Sequence, residues 1–220
     1  MLPAAFLIDK GKIDPSTFVV DANTGSLIPH YAAHYGNLKF IRYLERHYKD
    51  GGFPDLKDNY NCGMVHYCTR QGHLAILMYC AEILGHDLTN RDKFGYNALE
   101  YSLMYKRLNC FIYLLYNRSC KEINPALVEN IASTLCQPPS PEEKKNPNSS
   151  YSVDGKGKIT VSFKLIQILL REGEMSSVFG PVLLINAIKH SRIDIVEEIY
   201  ERCFYLPRMA VRDSSTYDYV

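Results

Sequence analysis

Two segments of the sequence repeat one residue pattern, and this repetition limits the folds available to the chain. The segment HYAAHYGNLKFIRYL begins at His30, and HYCTRQGHLAILMYC begins at His66. In both, a His-Tyr pair and small residues precede a glycine, a polar residue, a leucine and an apolar run. Three further apolar runs begin at Leu108, Phe163 and Ile193. The repetition predicts a chain built from similar units.

The apolar runs indicate helices that are each buried along one side. Their first, third, fourth and seventh positions are apolar or cysteine, and this spacing places the side chains on one face of a helix. The first three runs start at Leu38, Leu74 and Leu108, which are 36 and 34 residues apart. Self-similarity at this period is typical of stacked repeats, in which neighbouring units bury each other's apolar faces.

Turn-forming residues lie ahead of the helices. A glycine or asparagine lies five residues before the position of the first His in four units, at Gly25, Asn61, Gly95 and Gly180. Both residue types tolerate the positive φ of tight turns. Each unit is therefore predicted to contain a β-hairpin turn, a short helix, a turn at Gly36 or its equivalent, and a second helix.

This arrangement resembles the ankyrin repeat, whose pattern is Asp-x-x-Gly-x-Thr-Pro-Leu-His-x-Ala-Ala followed by Gly-His-Leu. The sequence departs from the pattern at Glu100, where His is usual, and at Lys106, where Gly is usual. The Thr-Pro pair is missing, and Pro29 lies one place late. The matching residues are Gly25, His30, Ala32, Ala33, Gly36 and Leu38 in the first unit, Asp58, His66, Gly72, His73 and Leu74 in the second, and Asp92, Lys93, Gly95, Leu99 and Leu108 in the third.

The resemblance implies an all-α fold, an ankyrin-type helix-turn-helix repeat solenoid with short β-hairpin connections. Residues 1–20 are predicted to form an N-terminal capping half repeat, and residues 21–136 ankyrin-like repeats that include the inner helix of a fourth. Residues 137–158 are rich in Pro, Ser and Asn and are predicted to be an insertion within that fourth repeat. Residues 159–205 complete repeat four and form repeat five, and residues 206–220 form a C-terminal tail.

Composition and charge narrow the function classes. The chain has 25 basic and 24 acidic residues, and this balance gives no reason to expect nucleic-acid or anionic-membrane binding. No secretory leader or membrane span is recognisable. We therefore expect a cytoplasmic or other reducing location, in which the seven cysteines are mostly small core residues.

The candidate chemical motifs all have a simpler structural interpretation. His30 and His34 are spaced to share a helix face as metal ligands, but the resemblance assigns His30 to hydrogen bonding within the hairpin loops. Cys68, Cys80 and Cys110 fall on the buried side of their helices, which does not favour a nucleophile. The sequence DGKGK at 154–158 lacks the spacing of a phosphate-binding loop. We predict no enzyme, no cofactor and no metal site.

The surface of the predicted stack therefore carries the function. Tyr31, Tyr67 and Tyr101 hold the same position in three units and are predicted either to line a groove or to pack repeat against repeat. Tyr and Arg are enriched at protein interfaces. The candidate partner-binding residues are the exposed inner-helix positions and hairpin tips, namely Tyr31, His34, Tyr35, Tyr60, Tyr67, Arg70, Gln71, Phe94, Tyr96, Tyr101, Met104 and Tyr105.

Three functions are compatible with these residues. The first is a non-catalytic interaction protein, such as a structural subunit of a cytoskeletal, ciliary or other large complex. The second is a regulatory ankyrin module for an enzyme on a separate chain, and the third is a metal-binding protein that uses His30, His34 and nearby cysteines. Partner proteins are expected in the concave groove and at the hairpin tips, with the insertion 137–158 and the tail, which ends in Asp218-Tyr219-Val220, as further contact sites.

Overall fold

Helices account for most of the secondary structure, which confirms the predicted all-α fold. The described residues contain eleven α-helices and two antiparallel two-stranded sheets. The chain divides into two compact units, residues 1–122 and 123–220. The computed structural model describes residues 3–48, 53–117, 122–138, 150–152 and 158–205.

The first unit contains three consecutive helix pairs preceded by a short helix and a hairpin. Within each pair, the residues at the predicted core positions are buried; Ile41, Leu77 and Phe111, for example, are inaccessible to solvent. The inner helices α2, α4 and α6 pack against one another in order. The elements are α1 (Pro3–Asp9), β1 (Val19–Asp21), β2 (Ser26–Leu27), α2 (Ile28–His34), α3 (Leu38–His47), α4 (Met64–Gln71), α5 (Leu74–Glu82), α6 (Ala98–Met104) and α7 (Leu108–Tyr116).

In the first unit, a residue with positive φ follows the end of each inner helix. This residue is Gly36 (φ 74°), Gly72 (φ 84°) and, in the third pair, Lys106 (φ 55°). The next residue donates a hydrogen bond to the preceding pair in two cases. His73 Nε2 lies 2.9 Å from the carbonyl oxygen of His34, and Arg107 Nε donates to the preceding inner helix at 2.8 Å. The left-handed turn therefore aims a polar side chain at the neighbouring repeat.

Lys106→Gly is expected to stabilise the chain, because a side chain in the left-handed region costs about 1 kcal/mol or more that glycine avoids. Lys106→Ala is the matched control, since it removes the same side-chain atoms beyond Cβ but keeps the unfavourable Cβ. We expect the Gly variant to exceed the Ala variant by about 1 kcal/mol in urea melts. Equal stability of the two variants would show that Lys106 is not strained.

One buried histidine in each of the first two repeats joins the start of its own helix to the following loop. His30 Nδ1 accepts from the backbone N–H of Leu27 at 3.0 Å, and its Nε2 donates to the carbonyl of Leu56 at 2.9 Å. His66 makes the equivalent bonds at 3.1 and 3.0 Å. Burial lowers the pKa of both rings, so they are neutral and carry the proton on Nε2. Both ring nitrogens of His30 are thus occupied by backbone groups, which excludes it as a metal ligand in this conformation.

The third repeat makes the same connection with two residues. Glu100 Oε2 accepts from the N–H of Asn97 at 2.7 Å, but a carboxylate cannot donate to the next loop. Arg91 supplies the donor, because its Nη1 lies 2.8 Å from Glu100 Oε2 while its Nη2 donates to the carbonyl of Glu122 at 3.2 Å. The departure from the family pattern at Glu100 is therefore compensated by Arg91.

Arg91→Ala is expected to lower the free energy of unfolding by about 1.5–3 kcal/mol, because it leaves the buried Glu100 carboxylate without its charged donor. The double variant Arg91→Ala with Glu100→His restores the arrangement of the first two repeats and should recover most of this loss. Urea melts of the parent and the two variants measure both effects. A single variant as stable as the parent would contradict the exchange, and so would a double variant that recovers nothing.

The second unit contains two further helix pairs. Helix α8 (Val128–Cys136) packs on α9 (Val161–Arg171) and α10 (Gly173–Lys189), so it belongs to the second unit. Helix α9 begins at Val161, where the side chain of Thr160 accepts the N–H of Phe163 at 3.2 Å. The elements are a 3-10 turn (Pro125–Leu127), α8 (Val128–Cys136), β3 (Ser150–Ser152), β4 (Lys158–Thr160), α9 (Val161–Arg171), α10 (Gly173–Lys189), α11 (Ile193–Ile199) and a π-helix (Tyr200–Tyr205).

The predicted hairpin turn at Gly180 is wrong, because Gly180 and Pro181 lie inside the 17-residue helix α10. The hairpin loops of the second and third repeats each have an aspartate three residues before the Asn or Gly, and the equivalent residue here is Ser177. Its hydroxyl instead donates to the carbonyl of Glu174 within the helix at 2.7 Å. The buried Phe179 continues the apolar side of α10 through this segment.

Parts of the predicted insertion and the tail lie outside the described residues. Within 137–158, the structure describes residues 137–138 and the strand β3, together with Lys158 at the start of β4. Strand β3 pairs antiparallel with β4, directly ahead of α9. The tail 206–220 is entirely outside the described part of the chain.

Candidate functional site

The hairpin loops of the second and third repeats are closed by aspartate side chains. Asp58 Oδ1 accepts the backbone N–H groups of Tyr60 and Cys62, both at 2.8 Å. Asp92 Oδ1 accepts those of Phe94 and Tyr96 at 2.9 and 2.8 Å. Each carboxylate thereby fixes a tight turn, whose positive φ is adopted by the Asn or Gly that the sequence places there.

Backbone hydrogen bonds connect each hairpin loop to the next. The N–H of Asn59 donates to the carbonyl of Thr24 at 2.9 Å, and the N–H of Lys93 donates to the carbonyl of Tyr60 at 2.9 Å. The side chain of Asn61 adds a bond to the carbonyl of Arg91 at 2.6 Å. The three loops therefore form one connected edge of the first unit.

Two of the three equivalent tyrosines contribute to the packing between repeats. The ring of Tyr67 stacks on His30 with centroids 5.2 Å apart, and the ring of Tyr101 meets His66 edge-on at 5.8 Å. The Tyr67 hydroxyl donates to Asp58 Oδ2 at 2.8 Å. Burial, reinforced by this carboxylate, raises the pKa of Tyr67 to about 12.

The expectation that Tyr101 is exposed is wrong, since only 7% of its surface is accessible. Its hydroxyl donates to Asp92 Oδ2, and the rings of Tyr96 and Tyr105 cover it at 5.3 and 5.8 Å. Tyr31 and Tyr67 are partly exposed. The interpretation as packing residues therefore applies to Tyr101, while Tyr67 has both a packed ring and an accessible edge.

An aromatic groove of about 490 Å³ lies between the hairpin loops and the inner helices of the second and third repeats. Tyr60 and Phe94 stack at one side, with ring centroids 5.8 Å apart. At the other side, the Arg70 guanidinium lies 5.4 Å from the Tyr101 ring centre and 5.2 Å from that of Tyr105. The groove is lined by Thr24, Asp58, Tyr60, Cys62, Tyr67, Arg70, Phe94, Tyr96, Tyr101, Met104 and Tyr105.

Eight of the twelve candidate residues line the aromatic groove. The other four are Tyr31, His34, Tyr35 and Gln71, of which Gln71 Nε2 and His34 Nδ1 are 3.3 Å apart. Thr24, Asp58 and Cys62 line the groove as well, and sequence reasoning did not include them. The aspartates at equivalent positions before two turns were a usable signal, because their side chains had to lie beside the hairpin tips.

The polar groups of the groove are largely occupied by bonds within the protein. Asp58 accepts two backbone amides and the hydroxyl of Tyr67, and Asp92 has the same arrangement with Tyr101. Burial raises the pKa of the Cys62 thiol to about 12, so the thiol is protonated at neutral pH. Among the residues that the structure describes, no three His, Cys, Asp or Glu side chains are grouped so as to hold a metal ion.

A family model described as ankyrin repeats matches residues 30–125 in three copies. Residues 30–125 therefore contain three ankyrin repeats. Ankyrin repeats are a protein–protein interaction module and are generally non-catalytic. No curated protein matches the chain. No helix in the described segments is long and apolar enough to span a membrane.

Tyr101→Phe is expected to lower the free energy of unfolding by about 1–3 kcal/mol, because it removes a buried hydroxyl donor from the Asp92 carboxylate. Tyr116→Phe is the control, since it removes a hydroxyl from a tyrosine of the same repeat that is 72% exposed and should change stability by less than about 0.5 kcal/mol. Thermal or urea melts provide the comparison. Equal effects of the two variants would show that the Tyr101–Asp92 bond does not support the loop.

Proposed function

We propose that the chain is a non-catalytic scaffold that binds a partner protein in the aromatic groove. The observation that carries this proposal is the concentration of aromatic rings from two successive repeats around one cleft. Aromatic and arginine side chains are enriched at the energetically important centres of interfaces. The groove offers both at a site that the ankyrin architecture leaves accessible.

The rings are held in place before any partner arrives, which favours binding. Tyr60 and Phe94 stack on each other, and their loops are joined by the backbone bond from Lys93 to Tyr60. The Arg70 guanidinium contacts the rings of Tyr101 and Tyr105, and its Nη2 donates to the Tyr105 hydroxyl at 3.1 Å. These contacts hold it in position. Preorganised side chains lose less conformational entropy on association.

The chemistry of the groove supports a non-catalytic role. A general base needs a carboxylate with an open acceptor position and a nucleophile needs an ionised or activated group. Asp58 is engaged by three donors and Asp92 by four, one of which is the protonated Cys62 thiol. The groups that remain accessible are aromatic faces and one guanidinium, which suit recognition.

The scaffold role implies membership of a larger assembly. A regulatory module that binds an enzyme on another chain would use the same groove, and the identity of the bound partner separates these two functions. A cytoplasmic location, and a place in a cytoskeletal or ciliary complex, stay predictions.

Truncation of the stacked pair tests the groove. We expect Tyr60→Ala and Phe94→Ala each to weaken a partner complex by about 2 kcal/mol, which is roughly thirtyfold in Kd. Tyr116→Ala is the matched control, because Tyr116 is also an exposed aromatic residue but lies at the end of α7, outside the groove. Partners captured from native extract by the parent chain are identified by mass spectrometry, and each purified partner is then titrated against the three variants.

Melting curves of the three variants accompany the titrations, so that lost binding is not confused with unfolding. A captured partner whose affinity is unchanged by Tyr60→Ala and Phe94→Ala would contradict the groove as the binding site. A partner-free reaction catalysed by the purified chain would contradict the non-catalytic role.

A further inference from the structure

Helix α10 carries exposed apolar residues on the side away from its buried residues. Ile185 and Ile188 are 53% and 63% accessible, and Ile193 at the start of α11 is 70% accessible. Val178 and Pro181 are exposed on the same helix, and the spacing 178, 181, 185, 188 forms one stripe. Isoleucines 185, 188 and 193 are named here the isoleucine face.

Equivalent positions in the earlier repeats are completely buried. Ser191 has φ 52° and ends α10 as Gly36 ends α2, so Ile185 is equivalent to His30 and Ile188 to Ala33. His30 and Ala33 have no accessible surface, and His66 and Thr69 in the second repeat are likewise buried. In both repeats the inner helix that follows packs on this one, α4 on α2 and α6 on α4, and its tyrosine contacts the buried histidine, Tyr67 on His30 and Tyr101 on His66.

The isoleucine face thus has the character of a surface between repeats rather than of a solvated end. Solenoid repeats that end in water normally have a polar outer face. Here the bridging histidine is replaced by Ile185, which has no polar atom for water or for a loop. A contiguous exposed apolar patch on a soluble protein marks a site of association.

The outer helix α11 indicates which charge a protein that covers the isoleucine face should carry. The fifth residue of the apolar run, counted from Leu38 or Phe163, contacts the following pair in two repeats: Arg42 lies over the ring of Tyr79 at 5.3 Å, and Gln167 donates to Glu198 at 3.1 Å. The equivalent residue of α11 is Glu197, which is exposed, as is Glu201 one turn later. The rim that α11 contributes is therefore acidic, while on α10 the exposed Lys189 lies 3.4 Å from the Glu129 carboxylate.

We propose that the isoleucine face binds a helix pair of a partner protein, which packs as the next repeat packs elsewhere in this chain. The partner supplies small or apolar residues opposite Ile185 and Ile188, and a lysine or arginine opposite Glu197. A second copy of this chain is a poorer occupant, because it would bring two acidic rims to one interface. This surface lies in residues 123–220 and is separate from the aromatic groove.

The test uses the full chain and a defined probe. The probe is an array of three consensus ankyrin repeats, made without its N-terminal cap, with lysine at the sixth position of its first outer helix. The parent chain should bind this array in a calorimetric titration. Ile185→Glu and Ile188→Glu should each weaken binding at least tenfold, while the matched control Ile83→Glu, at an exposed isoleucine of the first unit, should leave it unchanged.

A charge exchange tests the acidic rim. Glu197→Lys should weaken binding of the lysine-bearing array by about two- to fivefold and strengthen binding of an array with glutamate at that position. Equal affinities of the two arrays for the parent chain would overturn the assignment of charge.

Two further results would overturn the proposal as a whole. One is failure of the parent chain to bind either array at its highest soluble concentration. The other is a dimer in sedimentation that Ile188→Glu converts to monomer, since the occupant would then be a second copy. Melting curves of Ile185→Glu and Ile188→Glu show whether each variant is folded. Unfolding of both variants would show that these residues belong to the core.

Discussion

The structure of the first unit depends on one side chain per repeat that bonds the backbone on two sides at once. His30 accepts from the start of its own helix and donates to the loop that leads into the next repeat. The bond works only with a neutral ring, which burial ensures by lowering its pKa. Glu100 and Arg91 divide the same two tasks between them. Each of the three repeats thus has one acceptor for the backbone N–H at the helix start and one donor for the carbonyl of the next loop, although the residue types differ.

The geometry of the aromatic groove follows from this connection. Because each loop is attached to the repeat before it, the hairpin tips are held in register, and Asp58 and Asp92 can accept hydroxyl donors from Tyr67 and Tyr101. The aromatic rings then stack in fixed positions. The same bonds occupy the acidic groups, so the rings and the acceptor oxygens of the cleft are held in place by one set of contacts.

Elements that depend on the local residue pattern could be predicted from the sequence. Prediction failed where contacts between residues far apart in the chain determine the structure. Apolar spacing located the helix pairs, and turn residues located Asn61 and Gly95. The burial of Tyr101 could not be predicted, because it depends on a hydroxyl partner nine residues earlier and on rings brought together by two repeats. Gly180 failed for a related reason: the residue type permits a turn, but without an aspartate to close the loop the chain continues as a helix.

In the second unit, helix α10 lacks a polar side chain at the position of the bridging histidine. It therefore shows what that side chain contributes in the first unit. Where the earlier inner helices place a histidine or glutamate, α10 places Ile185, which can neither accept from the backbone nor donate to a following loop. Further along the same unit, Arg192 still reaches back to the carbonyl of Gln137 at 3.4 Å, as Arg107 reaches back in the third repeat. A backward contact like that of the third repeat is therefore kept in the last helix pair, while the polar forward contact is exchanged for apolar surface. A surface altered in this way gains stability only by leaving water, so its chemistry favours a partner that covers Ile185 over one that hydrogen-bonds to it.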